Sequence, residues 1–158
     1  MENFNVTKIY VHSGWRLHSI NGPQEAIYQE PLPILLFLSY DVVKIVMNAL
    51  QKNDVPSKNR GIAVTFNFAS SANKNVTEPI ERFVNMVSEL VCAQMVDHLG
   101  AVYEKIKIKG DSASIDVIIK GVSGKFVGFR FLLTKQRDNE FDGTWMTDNV
   151  TLIEVISS

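Results

Sequence analysis

The apolar period of this chain changes at Gly100, and that change constrains the fold more than any other feature. Upstream, Ile80, Phe83, Val84, Val87, Leu90, Val91, Met95 and Leu99 recur at helical spacing, which gathers them on one stripe of a helix. Downstream, apolar and polar residues alternate, as strands with one buried face require. The pattern predicts one long amphipathic helix from Thr77 to Gly100, followed by an antiparallel β-meander that runs to the C-terminus. Thr77 is placed to cap the first turn. Pro79 is tolerated there because first-turn amides have no intrahelical partners, and Gly100 offers a left-handed stop.

In the meander, Val102, Ile106 and Ile108 share one face of a first strand, with Tyr103, Lys105, Lys107 and Lys109 on the other. A turn at Lys109 to Ser112 leads to Ile115, Val117 and Ile119. A second turn at Gly121 to Gly124 leads to Val127, Phe129, Phe131 and Leu133. The last strand runs from Thr144 to Ile156, with a bulge expected near Asp148-Asn149.

The N-terminal half is less regular. Val6 to Val11 and Trp15 to Ile20 read as a strand pair about Ser13-Gly14. Gln24 to Pro33 reads as irregular, since Pro31 and Pro33 remove amide donors. Asp41, Lys44, Asn48 and Gln51 form a polar stripe at helical spacing, so the second half of Ile34 to Lys52 is a helix. Ile34 to Leu38 is either its buried start or a short core strand, and one continuous helix is preferred. A linker covers Asn53 to Gly61. Ile62, Val64, Phe66 and Phe68 then alternate as a strand. The expectation is a single α+β domain over residues 1–158: a curved antiparallel sheet on a long helix, with an N-terminal strand pair and a second helix.

The formal net charge is −1, from 16 basic and 17 acidic residues. That balance gives no global reason for a nucleic-acid or anionic-membrane partner. The single cysteine, Cys92, excludes an intramolecular disulfide and reads as a buried, inert thiol. The first residues lack the basic and apolar regions of a secretory signal. The apolar run Ile34 to Leu38 is too short to span a bilayer. An intracellular, cytoplasmic setting without a membrane partner is therefore expected, and the Asn-Val-Thr triplets at Asn5, Asn75 and Asn149 are read as coincidence.

Phe129-Arg130-Phe131-Leu132-Leu133, a polar loop, and then Trp145-Met146-Thr147-Asp148-Asn149 resemble the closing hairpin of the nuclear-transport-factor-2-like (cystatin-like) superfamily. The resemblance spans Thr77 to Ile156. It implies a long helix cradled by a curved sheet. It also implies either a dimer formed through the outer sheet face or a cone-shaped small-molecule pocket between sheet and helices. Some pocket users of that superfamily are enzymes with Asp, His or Tyr in the cavity, and no catalytic residue carries over to this chain.

Three functional readings follow. Phe129, Phe131, Leu133, Trp145 and Ile153 lie on strands that are apolar on both faces, so the second face must be covered by the N-terminal segment with Trp15 or by a second copy. The favoured expectation is a non-enzymatic homodimerisation or protein-interaction module using those residues. The alternative is a small-ligand or enzymatic pocket with Tyr40, Asp41 and His98 near it, although a histidine in the last turn of a helix more often serves the helix dipole. The third is nucleic-acid binding through Lys105, Lys107 and Lys109 beside Tyr103. A solvated strand face that discourages edge pairing is the preferred account of that row. His12 and His18 complete no ligand set, so neither metal nor cofactor is expected.

Overall fold

The structure is a computed structural model that describes residues 15–18, 28–89 and 91–156. It is an α+β arrangement, with four α-helices and an antiparallel five-stranded sheet that does not close, among the described residues. In chain order the elements are β1 (Trp15–His18), β2 (Tyr28–Pro31), α1 (Ser39–Gln51), α2 (Arg60–Asn67), α3 (Ser71–Thr77) and α4 (Ile80–Ser88). A 3₁₀ turn (Val91–Met95) leads to β3 (Gly100–Tyr103), β4 (Lys107–Lys109), β5 (Ser112–Lys120), β6 (Phe126–Lys135) and β7 (Trp145–Ile156).

The meander is the expected one. Strand order is β3-β5-β6-β7, with β4 also pairing β5. Period-two patterning turns Ala113, Ile115, Val117 and Ile119 of β5 to the core together with Val127, Phe129, Phe131 and Leu133 of β6. Gly110 and Gly124 adopt positive φ at the two hairpin turns, where a side chain would be strained. Opposite Leu132 and Leu133 stand Asn149 and Thr147, leaving Asp148 as the extra residue of a bulge at the expected place. A second irregularity between Gly128 and Phe129 leaves Ile153 unpaired.

The first strand differs from expectation. It is split into β3 and β4, and the backbone between them slips by one residue. Ala101 and Tyr103 stand opposite Ile119 and Val117, whereas Ile108 stands opposite Ala113. Tyr103 and Ile106 therefore both pack toward the core, while Val102 is exposed. A one-residue slip inverts which side chains face inward.

The helix that backs the sheet is α1. Val42, Val43, Val46, Met47 and Leu50 are fully buried in the same cluster as the sheet's inner face. The helix starts at Ser39 because the Asp41 carboxylate accepts the Leu38 amide at 2.8 Å, satisfying one of the free donors of the first turn. Ile34 to Leu38 is neither helix nor strand: Phe37 N–H bonds the Ile34 carbonyl in a turn that leaves Leu35, Leu36 and Leu38 exposed.

The expected helix from Thr77 to Gly100 is broken twice. Thr77 ends α3, and its hydroxyl donates back to the Asn73 carbonyl at 2.8 Å. Glu78 is extended, the conformation favoured before a proline. Only Ile80–Ser88 continues as helix. Glu89 is extended again, and Asp97 turns left-handed ahead of β3, so Gly100 opens a strand instead of stopping a helix.

The expected strand Ile62 to Phe68 is instead α2. Ile62 and Phe66, like Val64 and Phe68, are also i, i+4 pairs, so a short alternating run fits either period. The decisive contact is Gly61, whose missing Cβ lets α2 lie directly on the Ala49 carbonyl of α1. In the N-terminal part, β1 pairs antiparallel with β2, Trp15 opposite Pro31 and His18 opposite Tyr28. Part of the expected irregular stretch Gln24 to Pro33 is thus strand. The expected strand Val6 to Val11, and the packing of the Trp15 side chain over the sheet, lie outside what is described.

Candidate functional site: a cavity between α4 and the sheet

The breaks in the expected long helix open a cavity. Leu50 at the end of α1, Phe83, Met86 and Val87 of α4, and Cys92 and Met95 of the 3₁₀ turn form its apolar wall. Thr65 and Ala69 from the end of α2, Asn73 and Thr77 of α3, and Thr147, Asn149 and Val150 of β7 complete it, with Glu89 at the break after α4. The cavity is partly open to solvent and holds about 290 Å³, near the lower end of ordinary small-molecule pockets, about 300 Å³.

Hydrogen bonds hold the cavity open on the β7 side. Thr147 N–H donates to the Phe68 carbonyl at 2.7 Å, and the Thr147 carbonyl accepts from Ser70 N–H at 2.8 Å. The Asn73 side-chain amide reaches the same carbonyl at 3.3 Å. Ser70 also caps α3, its hydroxyl accepting the Asn73 amide at 3.2 Å. Helix α3 is thus tied to the start of β7, while α4 departs from it after Pro79.

Acid–base equipment in this cavity is sparse. Burial pushes the Cys92 thiol above its ordinary pKa, which keeps it protonated and a poor nucleophile near neutral pH. Glu89 is exposed. Among the described residues, no three His, Cys, Asp or Glu side chains are grouped so as to hold a metal ion.

Residues singled out from the sequence are distributed differently. Tyr40 and Asp41 stand at the start of α1, His98 against its end. Tyr40 meets the Tyr103 ring edge-on at 5.7 Å, and the Lys44 ammonium lies 5.5 and 5.8 Å from the two ring centres. His98 is buried, with Nε2 at 2.9 Å from the Met47 carbonyl oxygen. A carbonyl can only accept, so Nε2 carries the proton. Some seven residues of helix, about 10 Å at 1.5 Å per residue, separate the two ends. None of Tyr40, Asp41 and His98 lines the cavity between α4 and the sheet.

Phe129, Phe131, Leu133 and Trp145 are buried under the helices, and of the five expected interface residues only Ile153 is substantially exposed, at 42%. The reason is that β6 turns its most apolar face toward α1. Phe126, Leu132 and Arg130 occupy the outer face.

Lys105, Lys107 and Lys109 are exposed, but the slip between β3 and β4 removes Tyr103 from their side. Lys105 and Lys107 lie beside Ser114, Asp116 and Arg130, and Lys109 stands opposite Ser112. Arg130 bonds Asp116 through two nitrogens at 2.7 and 2.8 Å. That hydrogen bonding, with the nearby Arg130 and Lys107 charges, holds the Asp116 carboxyl below its usual range.

Sequence reasoning missed the residues of this cavity because its wall is assembled from six separate stretches of the chain. The available signal was Pro79, two residues past Thr77. Among the described residues, no helix is long and apolar enough to cross a membrane. Comparisons with family models, with curated proteins and with solved structures find no match for this chain.

Proposed function

We propose that the protein is a non-enzymatic binding domain for a small, largely apolar molecule, seated in the cavity between α4, the 3₁₀ turn and β7. The observation that carries this reading is the cavity of about 290 Å³ lined by Phe83, Met86, Val87 and Met95. Preformed concave sites with apolar walls and few polar groups are the usual form of small-molecule sites. The reading is in keeping with the resemblance to the nuclear-transport-factor-2-like superfamily, some of whose members bind small molecules between sheet and helices. Cys92, the chain's single cysteine, provides the test. A panel of small neutral aromatic and aliphatic compounds is screened for slower iodoacetamide labelling of Cys92 together with a raised melting temperature. A ligand at about 100 times its Kd stabilises by roughly 2.7 kcal/mol through mass action. Uniform labelling rates and an unmoved melting temperature across the panel would remove the reading.

Self-association is the second reading, and a different observation favours it. Leu152 and Ile153 are 44% and 42% exposed on β7. The edge of β7 facing away from β6 makes one described bridge, Ala69 with Thr147. Exposed apolar edge strands invite pairing with another chain. Native mass over a hundredfold concentration range decides it: a constant monomer mass excludes a homodimer.

A further inference from the structure

The cavity opens on one side. Leu50, Ala69, Phe83, Val87 and Met95 of its wall are buried, whereas Met86, Glu89 and Asn149 are exposed. A residue that both lines a cavity and meets solvent stands at its rim. The mouth therefore lies between the end of α4 and β7, above an apolar floor.

Two features give that mouth a negative sign. Among the described residues lining the cavity, Glu89 is the only one that carries a charge. It follows α4 directly, and the C-terminal end of a helix carries the negative end of its dipole. No basic residue in the last turn of α4 offsets that end, and the cation of this helix, Arg82, stands in its first turn. On α3, the Lys74 ammonium lies over the Phe66 and Phe141 rings, 5.3 and 5.2 Å from their centres. Neither ring lines the cavity.

An occupant that fills the floor with its apolar part leaves its other end at this rim. A carboxylate or phosphate there meets a like charge. An ammonium meets Glu89 and the carbonyl end of α4 while keeping much of its water, which avoids the cost of burying an ion.

We propose that the cavity takes a small hydrophobic amine, its apolar body on Phe83, Val87 and Met95 and its ammonium at the rim beside Glu89. This rests on the cavity being a ligand site, and the test separates the two claims. The full chain and its Glu89→Gln and Glu89→Lys variants are titrated by calorimetry at low ionic strength. The probes share one ring system: 1-naphthylmethylamine, 1-naphthalenemethanol and 1-naphthoate. The amine should bind about threefold to tenfold more tightly than the alcohol, the combined effect of one exposed ion pair and one helix end. The carboxylate should bind more weakly than either. Glu89→Gln should weaken the amine about threefold and change the alcohol by less than about twofold, and Glu89→Lys should weaken the amine further. Added salt should remove most of the amine's advantage, since charges at a rim are screened. If the alcohol binds as tightly as the amine, if Glu89→Gln weakens both alike, or if the carboxylate binds best, this inference is overturned and the cavity reading stands. If none of the three binds, both fall.

Discussion

The side-chain oxygen of Asn53 accepts the amide of Ile62 at 3.0 Å, and its backbone carbonyl accepts the amide of Gly61 at 2.8 Å. Asn53, two residues past the end of α1, thus satisfies two of the free donors at the start of α2. The same residue donates its amide to Asp97 Oδ1 at 3.2 Å, and Asp97 N–H in turn bonds the Leu50 carbonyl at 2.8 Å. Asn53 therefore joins the α1–α2 corner to the turn that enters β3. Asn53→Ala should destabilise by about 1–3 kcal/mol, the loss of buried hydrogen bonds that leaves a partner unpaired. The change is read from the urea midpoint, and an unchanged midpoint would show that water substitutes for the side chain.

Gly61→Ala offers a test in which two effects oppose. Within a helix, alanine is intrinsically favoured over glycine by about 1 kcal/mol. At Gly61, however, a Cβ would collide with the backbone carbonyl of Ala49, and backbone cannot rotate away as a side-chain tip can. Overpacking of this kind typically costs about 1–3 kcal/mol. The steric effect should win, lowering the melting temperature. A raised melting temperature would mean that α1 and α2 lie further apart.

The meander was legible because β5 and β6 each sustain alternation long enough for one face to be apolar throughout, and glycine-bearing turns separate them. The helical layer was legible only in part. α1 announces itself through Asp41, Lys44, Asn48 and Gln51, but its dominance over the core depends on tertiary contacts that no local pattern encodes. The stripe from Ile80 to Leu99 obeys helical spacing, yet Pro79 forces Glu78 out of the helical region and a left-handed Asp97 redirects the chain. Ile62 to Phe68 satisfied both periods at once, and only Gly61 against Ala49 separates them. A pocket between sheet and helices was among the expectations, but the residues that line this cavity were invisible for the same reason that the long helix was misleading: it exists where that helix fails to continue.

Cys92 reports on the cavity through its proton. Burial raises its thiol pKa above the ordinary value, so alkylation, which requires the thiolate, should reach half-maximal rate at higher pH in the folded protein than in the urea-unfolded chain. Because the folded pKa is the higher, any stability linked to this thiol is fully present below the unfolded pKa. It is lost as pH rises through the folded one. Identical rate profiles for folded and unfolded chain would place the thiol in free contact with water, contrary to its position in the cavity wall.

Adjacent residues on β6 separate the two accounts of the sheet. Phe131 is fully buried against the helices, whereas Leu132 is exposed on the outer face opposite Ser114 and Asn149. If the most apolar face of β6 were an interface between copies, Phe131→Ala would lower the native mass of a dimer and leave a folded monomer. In the architecture described, the same change empties space beneath α1 and should cost about 3–5 kcal/mol, as large-to-small core substitutions of phenylalanine do. Leu132→Ala should cost less than about 1 kcal/mol, since its side chain is already partly in water. Denaturant titration of both variants, paired with light scattering, distinguishes the cases. A strongly destabilised Phe131→Ala with unchanged mass fixes the apolar face of β6 as core. Dissociation without loss of stability would reverse the sheet's inner and outer faces.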